Sequence, residues 1–324
     1  MTDSIASTRQ TPRELPAERS RPRLYWLGTA AGVFLGLVFL VAVYAKTLDP
    51  SAFAEQIRLE GLDVLLSAQA VALIALALEA GIGLALILGI RRLWVLVPAA
   101  LLVAFFVFLT GRAWWMSANG LREAESCGCF GNLVQRTPAQ AFWQDLLLLV
   151  PALLLSFVGR ERSSGFPRVR TALVAVATVA VALFAWKSPE LPLDDLATRL
   201  SPGVQVEEIC TGSEADAVCL DTVAPALKQG EHLVVMADLE DPALGEAAAG
   251  LNQIQDAGQE VWLLSASPAE QHRAFFWRFG PRFQVVETPE PLLRPLYRRL
   301  PRSFRIEDGR VTETYAGLPP LSRG

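Results

Sequence analysis

Leu24–Ala45 reads LYWLGTAAGVFLGLVFLVAVYA, an apolar run with no charged side chain. A helix crosses a bilayer in roughly 17–25 residues, and this run is too long for the apolar core of a cleaved signal peptide. A retained membrane helix is expected, and the rest of the fold depends on how often the pattern returns. It returns at Leu66–Gly89, Leu93–Thr110, Ala139–Val158 and Thr171–Trp186. The last is marginal in length and has a buried core helix as its alternative, but Arg168, Arg170 and Lys187 flank it as membrane anchors do. Composition agrees: 52% hydrophobic and 19% charged residues fit a chain whose first partner is a lipid bilayer. A net charge of −4 argues against nucleic acid as a partner.

Basic residues orient the spans. Residues 1–23 carry Arg9, Arg13, Arg19, Arg21 and Arg23 and read as a disordered cytoplasmic tail. Arg91 and Arg92 mark the second turn, and Arg160, Arg162, Arg168 and Arg170 the connection before the fifth run. These segments alternate along the chain, and the positive-inside rule puts all three in the cytoplasm. The opposite loops hold Lys46 and Arg58, then Arg112, Arg122 and Arg136. The expectation is a multi-pass protein of the cell inner membrane with a cytoplasmic N-terminus and a periplasmic C-terminal part.

One loop on the expected outer side contains Cys127-Gly128-Cys129-Phe130-Gly131. A disulfide across one residue needs a bent backbone, which Gly128 permits. Strained or exposed disulfides are the exchangeable ones. Three readings stand: a redox dithiol, a structural pairing, or half of a zinc site. The only histidines are His232 and His272, so ligands at the usual zinc spacing are missing nearby. Cys210 and Cys219 also fall on the outer side, where disulfides persist. A structural disulfide between them is one reading, and an electron relay to Cys127 and Cys129 is the other. Arg122 and Arg112 would favour a thiolate in the loop, while Glu123 and Glu125 oppose it.

Polar residues inside the spans are few. Glu79 sits mid-span, and Lys46 closes the first run. An intramembrane carboxylate is a functional candidate, with a hydrogen-bonded structural role as the alternative. Gly81 and Gly83 would let another helix come close. Asp145, after Trp143 and Gln144, is expected to pair with Arg112 or Arg122, or else to be a solvated helix-end acid. Trp114, Trp115 and Trp143 read as interfacial aromatics.

These residues resemble a known family. Tyr44-Ala45-Lys46, Leu48-Asp49-Pro50 and Phe53-Ala54 are similar to the segment after the first helix of MauE/DoxX-like membrane proteins. Glu79–Leu84 resembles their second helix, Cys127–Gly131 the loop motif of the methylamine-utilisation (MauE) branch, and Trp143–Leu147 the start of their fourth helix. The resemblance covers residues 24–158. It implies a four-helix core, a role in disulfide formation beside a periplasmic thioredoxin-like partner, and no resident cofactor. It does not imply methylamine as substrate. The four-helix layout is comparable to that of quinone-linked vitamin K epoxide reductase-like proteins, but their membrane-embedded Cys-x-x-Cys is missing, so a quinone stays a guess.

Residues 159–187 then hold a cytoplasmic loop and the fifth span, and Ser188-Pro189 and Leu191-Pro192 open a linker over 188–200. Within 201–324, strands are expected at Val204–Glu207, His232–Ala237, Val261–Leu264, Ser303–Ile306 and Val311–Tyr315. Helices are expected at Glu214–Lys228, Pro242–Asp256 and Pro268–Phe279, and Asp308-Gly309 reads as a hairpin turn. The order resembles the thioredoxin fold, with Leu300-Pro301 where such proteins carry a cis-proline. The usual Cys-x-x-Cys place reads Asp238-Leu239-Glu240-Asp241-Pro242, and the stretch up to Gly324 leaves little room for the usual last helix.

The expected fold is thus an α-helical transmembrane bundle, a four-helix MauE/DoxX-like core plus a fifth span, followed by an α/β thioredoxin-like domain. The expected function is thiol–disulfide exchange supporting disulfide formation or maturation of exported proteins. Cys127 and Cys129 exchange, Arg122 or Asp145 tunes them, and no metal takes part. The alternative is a non-enzymatic docking factor that holds a client on a redox-inert domain, with Phe275–Arg278, Arg294, Arg298 and Arg299 as a candidate patch.

Overall fold

The computed structural model describes residues 22–120, 136–158, 160, 168–212 and 217–320. Cys127, Cys129, Arg122 and the basic tail lie outside the described residues. Among those described, five helical segments are long and apolar enough to cross a membrane.

The first span is α1 (Pro22–Leu48). Asp49 follows it, and its carboxylate accepts the Ala52 N–H at 3.0 Å, capping α2 (Pro50–Leu59). Pro50 stands in the first turn, where a missing N–H has no partner to lose. This amphipathic helix was not foreseen from the sequence. Next come α3 (Ala68–Ile87), α4 (Leu93–Ala118) and α5 (Pro138–Gln144), then a π turn at Asp145–Leu149 and α6 (Val150–Phe157). Pro151 has no N–H to give to Leu147, and its ring would strike that carbonyl. The ladder widens into the π turn just ahead of it. The fifth span is α7 (Arg168–Lys187), which exposes Val169, Leu173, Val176, Val179 and Leu183 as a lipid-facing edge helix would.

Small residues set the closest crossings. A Cβ on Gly36 of α1 would lie 2.6 Å from the Gly83 carbonyl of α3, so neither helix tolerates a side chain there. Gly81 does the same for α7, where a Cβ would meet Thr178 Oγ1 at 3.2 Å. At the far end, buried Arg91 donates to the carbonyls of Val158 at 3.1 Å and Tyr25 at 3.4 Å. One guanidinium thereby ties the α3–α4 turn to the end of α6 and the start of α1.

After α7 come α8 (Asp194–Ala197), a ribbon of β1 (Cys210–Thr211) and β2 (Val218–Cys219), and α9 (Leu220–Val223). The main sheet then alternates β3 (Glu231–Met236), α10 (Pro242–Asp256), β4 (Glu260–Ser265), α11 (Ala269–Phe279), β5 (Gln284–Glu287), α12 (Glu290–Leu293), β6 (Arg302–Glu307) and β7 (Arg310–Tyr315). Its order is β5-β4-β3-β6-β7, with β3 parallel to β4 and antiparallel to β6. Successive β3 residues point to opposite faces. Val234 and Met236 join a core with Phe304, Ile306, Leu220 and Leu227. Leu233 and Val235 pack against Leu244, Leu251 and Phe275 of the two long helices. That two-sided burial is why β3 reads as an unbroken apolar run.

Two expectations fail. Val204–Glu207 is no strand: Gln205 makes an isolated bridge to Arg310, and a 3-10 turn follows at Val206–Glu208. Glu214–Lys228 is not one helix. Cys219 is extended opposite Cys210, and Pro225, which cannot donate an N–H, separates α9 from a 3-10 turn at Pro225–Lys228. The edge strand β5 was missed, although its central Val285-Val286 pair was a signal. Leu300-Pro301 is cis, and the hairpin turns at Asp308 and Gly309 with φ of 46° and 76°.

Candidate functional site

Residues 121–135 leave α4 beyond Gly120 and return at Arg136, so the thiol motif belongs in sequence to one end of the bundle. Elements bordering that end carry three ion pairs. The deepest joins Lys46 Nζ to Glu79 Oε1 at 2.6 Å, with side-chain exposures of 1% and 0%. Phe53 of α2 and Phe106 of α4 present their rings to the same ammonium at 4.7 and 5.0 Å from their centroids. Glu79 Oε2 is buried and has no hydrogen-bond partner among the described residues. A carboxylate and an ammonium in hydrocarbon are tolerable only together, which explains why the two lie on facing helices.

Asp145 opens the π turn, buried, with Arg136 Nη1 at 3.6 Å from its Oδ1. Arg136 also donates to Gln144 at 3.2 Å. The residue that ends the thiol-bearing segment is therefore held by the π turn itself. Arg112, the expected partner of Asp145, instead meets Glu60 at 2.7 Å. It lies on α4 opposite α2, whereas Arg136 stands just ahead of the capping box of Thr137 and Gln140 that starts α5. Trp114 stacks on Phe142 at 5.1 Å, and Gly111 leaves room for that ring. The α4 and α5 ends are thus fixed on both sides of the loop. Trp115 and Trp143 are 60% and 48% exposed, as interfacial aromatics would be. Sequence reasoning missed Arg136 and Phe106, because neither stands out without the helix pairing.

The α/β domain meets this end of the bundle through polar ties. Ser188 Oγ donates to the Leu48 carbonyl at 3.1 Å. Arg298 donates to the carbonyls of Ser188 at 2.8 Å and Leu191 at 3.1 Å. Burial pushes the Asp49 carboxyl above its usual range, against its capping bond to Ala52 and the pull of Arg294 and Arg298. Deeper in the domain, Arg302 donates to Thr198, Leu296, Leu200 and Asp195. Burial lowers its pKa against the charges of Asp194 and Asp195.

Arg294 and Arg298 also line an open cleft with Asp238, Glu240, Asp241, Tyr297, Arg299 and Leu300. The cleft lies between the loop leading into α10 and the residue before the cis-proline. A thioredoxin would carry its dithiol there, and this chain has acidic residues instead. Burial raises the Tyr297 hydroxyl above its ordinary pKa, partly offset by Arg294. Of the candidate docking patch, Phe275 is core while Phe276 and Trp277 are 57% and 84% exposed. Cys210 and Cys219 are joined as a disulfide. Among the described residues no group of three or more His, Cys, Asp or Glu is placed to hold a metal ion.

Residues 24–158 match the family model of methylamine utilisation protein MauE, so the membrane part is a MauE-type helical domain and the chain a multi-pass membrane protein. No curated protein matches the chain. Among solved structures, a thiol:disulfide interchange protein DsbE from Chlorobium tepidum is similar at 18% identity and a TM-score of 0.30, covering 37% of this chain and 89% of that one. Peroxiredoxin Q from Xanthomonas campestris is similar at 13% identity and a TM-score of 0.27, covering 36% of this chain and 85% of that one.

Proposed function

We propose that this chain is a membrane thiol–disulfide protein that supports disulfide formation or maturation of exported proteins, with Cys127 and Cys129 as the exchanging pair. The observation that carries the reading is the MauE match over residues 24–158. Those residues hold the thiol motif and also the buried Lys46–Glu79 and Asp145–Arg136 pairs. In this reading the loop end of the bundle faces the periplasm, the N-terminus stays in the cytoplasm, and the bilayer is the inner membrane. The Cys210–Cys219 disulfide supports an oxidising compartment for the α/β domain. The partners are exported protein clients or a periplasmic thioredoxin-like protein. Arg122 favours the loop thiolate, and the Asp145–Arg136 pair fixes the end of the loop.

The step is attack of a client thiolate on the Cys127–Cys129 disulfide. A mixed disulfide forms, one loop sulfur leaves as thiolate, and a second client thiolate resolves the mixed bond. The client loses two electrons, and the loop pair takes them up with two protons. Cys127→Ser and Cys129→Ser should each trap or abolish mixed disulfides with clients. If both variants leave the thiol state of all exported proteins unchanged, the proposal fails.

The thiol-free Asp238–Pro242 loop favours a second reading, a docking factor whose α/β domain only holds a client. A Cys127–Cys129 pair that stays oxidised in every glutathione mixture would select it.

A further inference from the structure

We propose that Cys210–Cys219 is a second, reversible thiol–disulfide couple that opens and closes on a folded domain and exchanges with protein dithiols on its side of the membrane. This is independent of what Cys127 and Cys129 do. The two cysteines face each other directly across β1 and β2, whose two-residue strands form a ribbon apart from the main sheet. Both are half-buried, so an incoming thiolate does not have to open the core to reach them.

What holds the ribbon is mostly not the bond between the sulfurs. Ile209, just before Cys210, and Leu220, just after Cys219, are both buried in the domain core. The Leu220 N–H donates to the Ile209 carbonyl at 2.9 Å. Farther out, Lys228 Nζ meets Glu207 at 3.1 Å and Asp221 at 2.9 Å, bridging the two strands on the core side of the disulfide. Arg199 Nη1 holds the Cys210 carbonyl at 3.1 Å, and the Arg199 N–H bonds Pro295. A disulfide stabilises chiefly by restricting the unfolded chain, and least when its loop is short; here the sequence separation is 9. Opening it leaves both strands pinned at their bases. A purely structural staple would be the main tie of its hairpin, and this one duplicates a core anchor and an ionic clamp.

The exchange balances without a further reagent. A dithiol's thiolate attacks one sulfur, a new S–S bond forms, the Cys210–Cys219 bond breaks, and the other cysteine leaves as thiolate beside the cations Arg199 and Lys228 and takes a proton. The second thiolate of the partner resolves the mixed disulfide. The partner is oxidised by two electrons to a disulfide, and the domain pair is reduced.

The test uses the unaltered full chain in detergent, equilibrated with graded mixtures of reduced and oxidised glutathione, alkylated, and mapped peptide by peptide. The two cysteine pairs are then read separately, so failure of one does not mask the other. Cys210–Cys219 is expected to pass from oxidised to reduced over about a 100-fold change in the glutathione ratio within those mixtures. The reduced domain should digest less than about threefold faster than the oxidised one, since proteolysis follows opening. A pair that stays oxidised throughout, or a reduced domain that digests faster than that, overturns the proposal. Lys228→Ala should leave the oxidised domain resistant and make the reduced one digest more than about threefold faster. An unchanged reduced form would remove the clamp on which the proposal stands.

Discussion

Removing one member of the Lys46–Glu79 pair should destabilise the bundle more than removing both. At 2.6 Å the attraction is ~6 kcal/mol for an effective dielectric constant of about 20. Desolvation of two fully buried ions offsets most of it, so the pair is near neutral as a unit. Each ion alone is another matter. Glu79→Gln leaves an ammonium with only an amide oxygen and the rings of Phe53 and Phe106, which return ~0.5–2 kcal/mol. Lys46→Met leaves a carboxylate whose second oxygen already lacks a partner. Each single change should cost about 3–5 kcal/mol. Lys46→Met with Glu79→Leu should fall within about 2 kcal/mol of the unaltered chain, giving a strong favourable coupling in the double-mutant cycle. The assay is tryptophan-monitored unfolding in detergent, followed by the glutathione titration of Cys127 and Cys129 on the folded double variant. Single losses below about 1 kcal/mol, or a double variant less stable than either single one, would refute the reasoning. If the double variant is folded and its loop pair titrates as before, the ions hold the bundle together and leave the thiols alone.

Two further outcomes are expected. The Asp49 carboxyl is raised above 3.8, first by burial, so its contribution to stability is complete below 3.8 and is lost as pH rises through the folded pKa. Asp49→Asn, which keeps a good cap for α2, should flatten that acid-side slope in thermal unfolding between pH 3.5 and the folded pKa, and an unchanged slope would assign it to other groups. Arg298→Ala removes charge-assisted bonds to the Ser188 and Leu191 carbonyls, worth ~1.5–3 kcal/mol each. Limited proteolysis should then cut within 188–200 several-fold faster, and equal cutting would mean the joint is held elsewhere.

The spans were legible because length and apolarity alone decide them, and the orientation of neighbours followed from Gly36, Gly81 and Gly83, small residues whose use is local. β3, α10 and the Asp308-Gly309 turn were legible for the same reason, since two-sided burial, an Asp-Pro cap and a left-handed pair each leave a short-range signature. The ion pairs were not. Lys46 is separated from Glu79 by 33 residues, and nothing near either residue selects the other. Asp145 was assigned a partner by proximity of charge in sequence order. The π turn imposed by Pro151 and the capped start of α5 selected Arg136 instead. The region around Cys210 was misread because periodicity could not see that Cys219 is held extended by a covalent partner upstream.

The joint between the two parts bears on why a thioredoxin-like domain without a dithiol would be retained. Arg294 and Arg298 line the cleft beside the cis-proline and also act on Asp49, at the loop end of the bundle. The place where a dithiol would stand therefore borders the bundle end to which Cys127 and Cys129 belong in sequence. If a client strand is held in that cleft, the reacting sulfurs need not come from the domain that holds it. Holding and exchange are then split between two parts kept together by Ser188, Arg298 and Asp49. Loosening that joint should lower the rate at which clients meet the loop pair without changing the pair's own glutathione equilibrium. A joint variant that shifted the equilibrium and left the rate intact would contradict the division of roles.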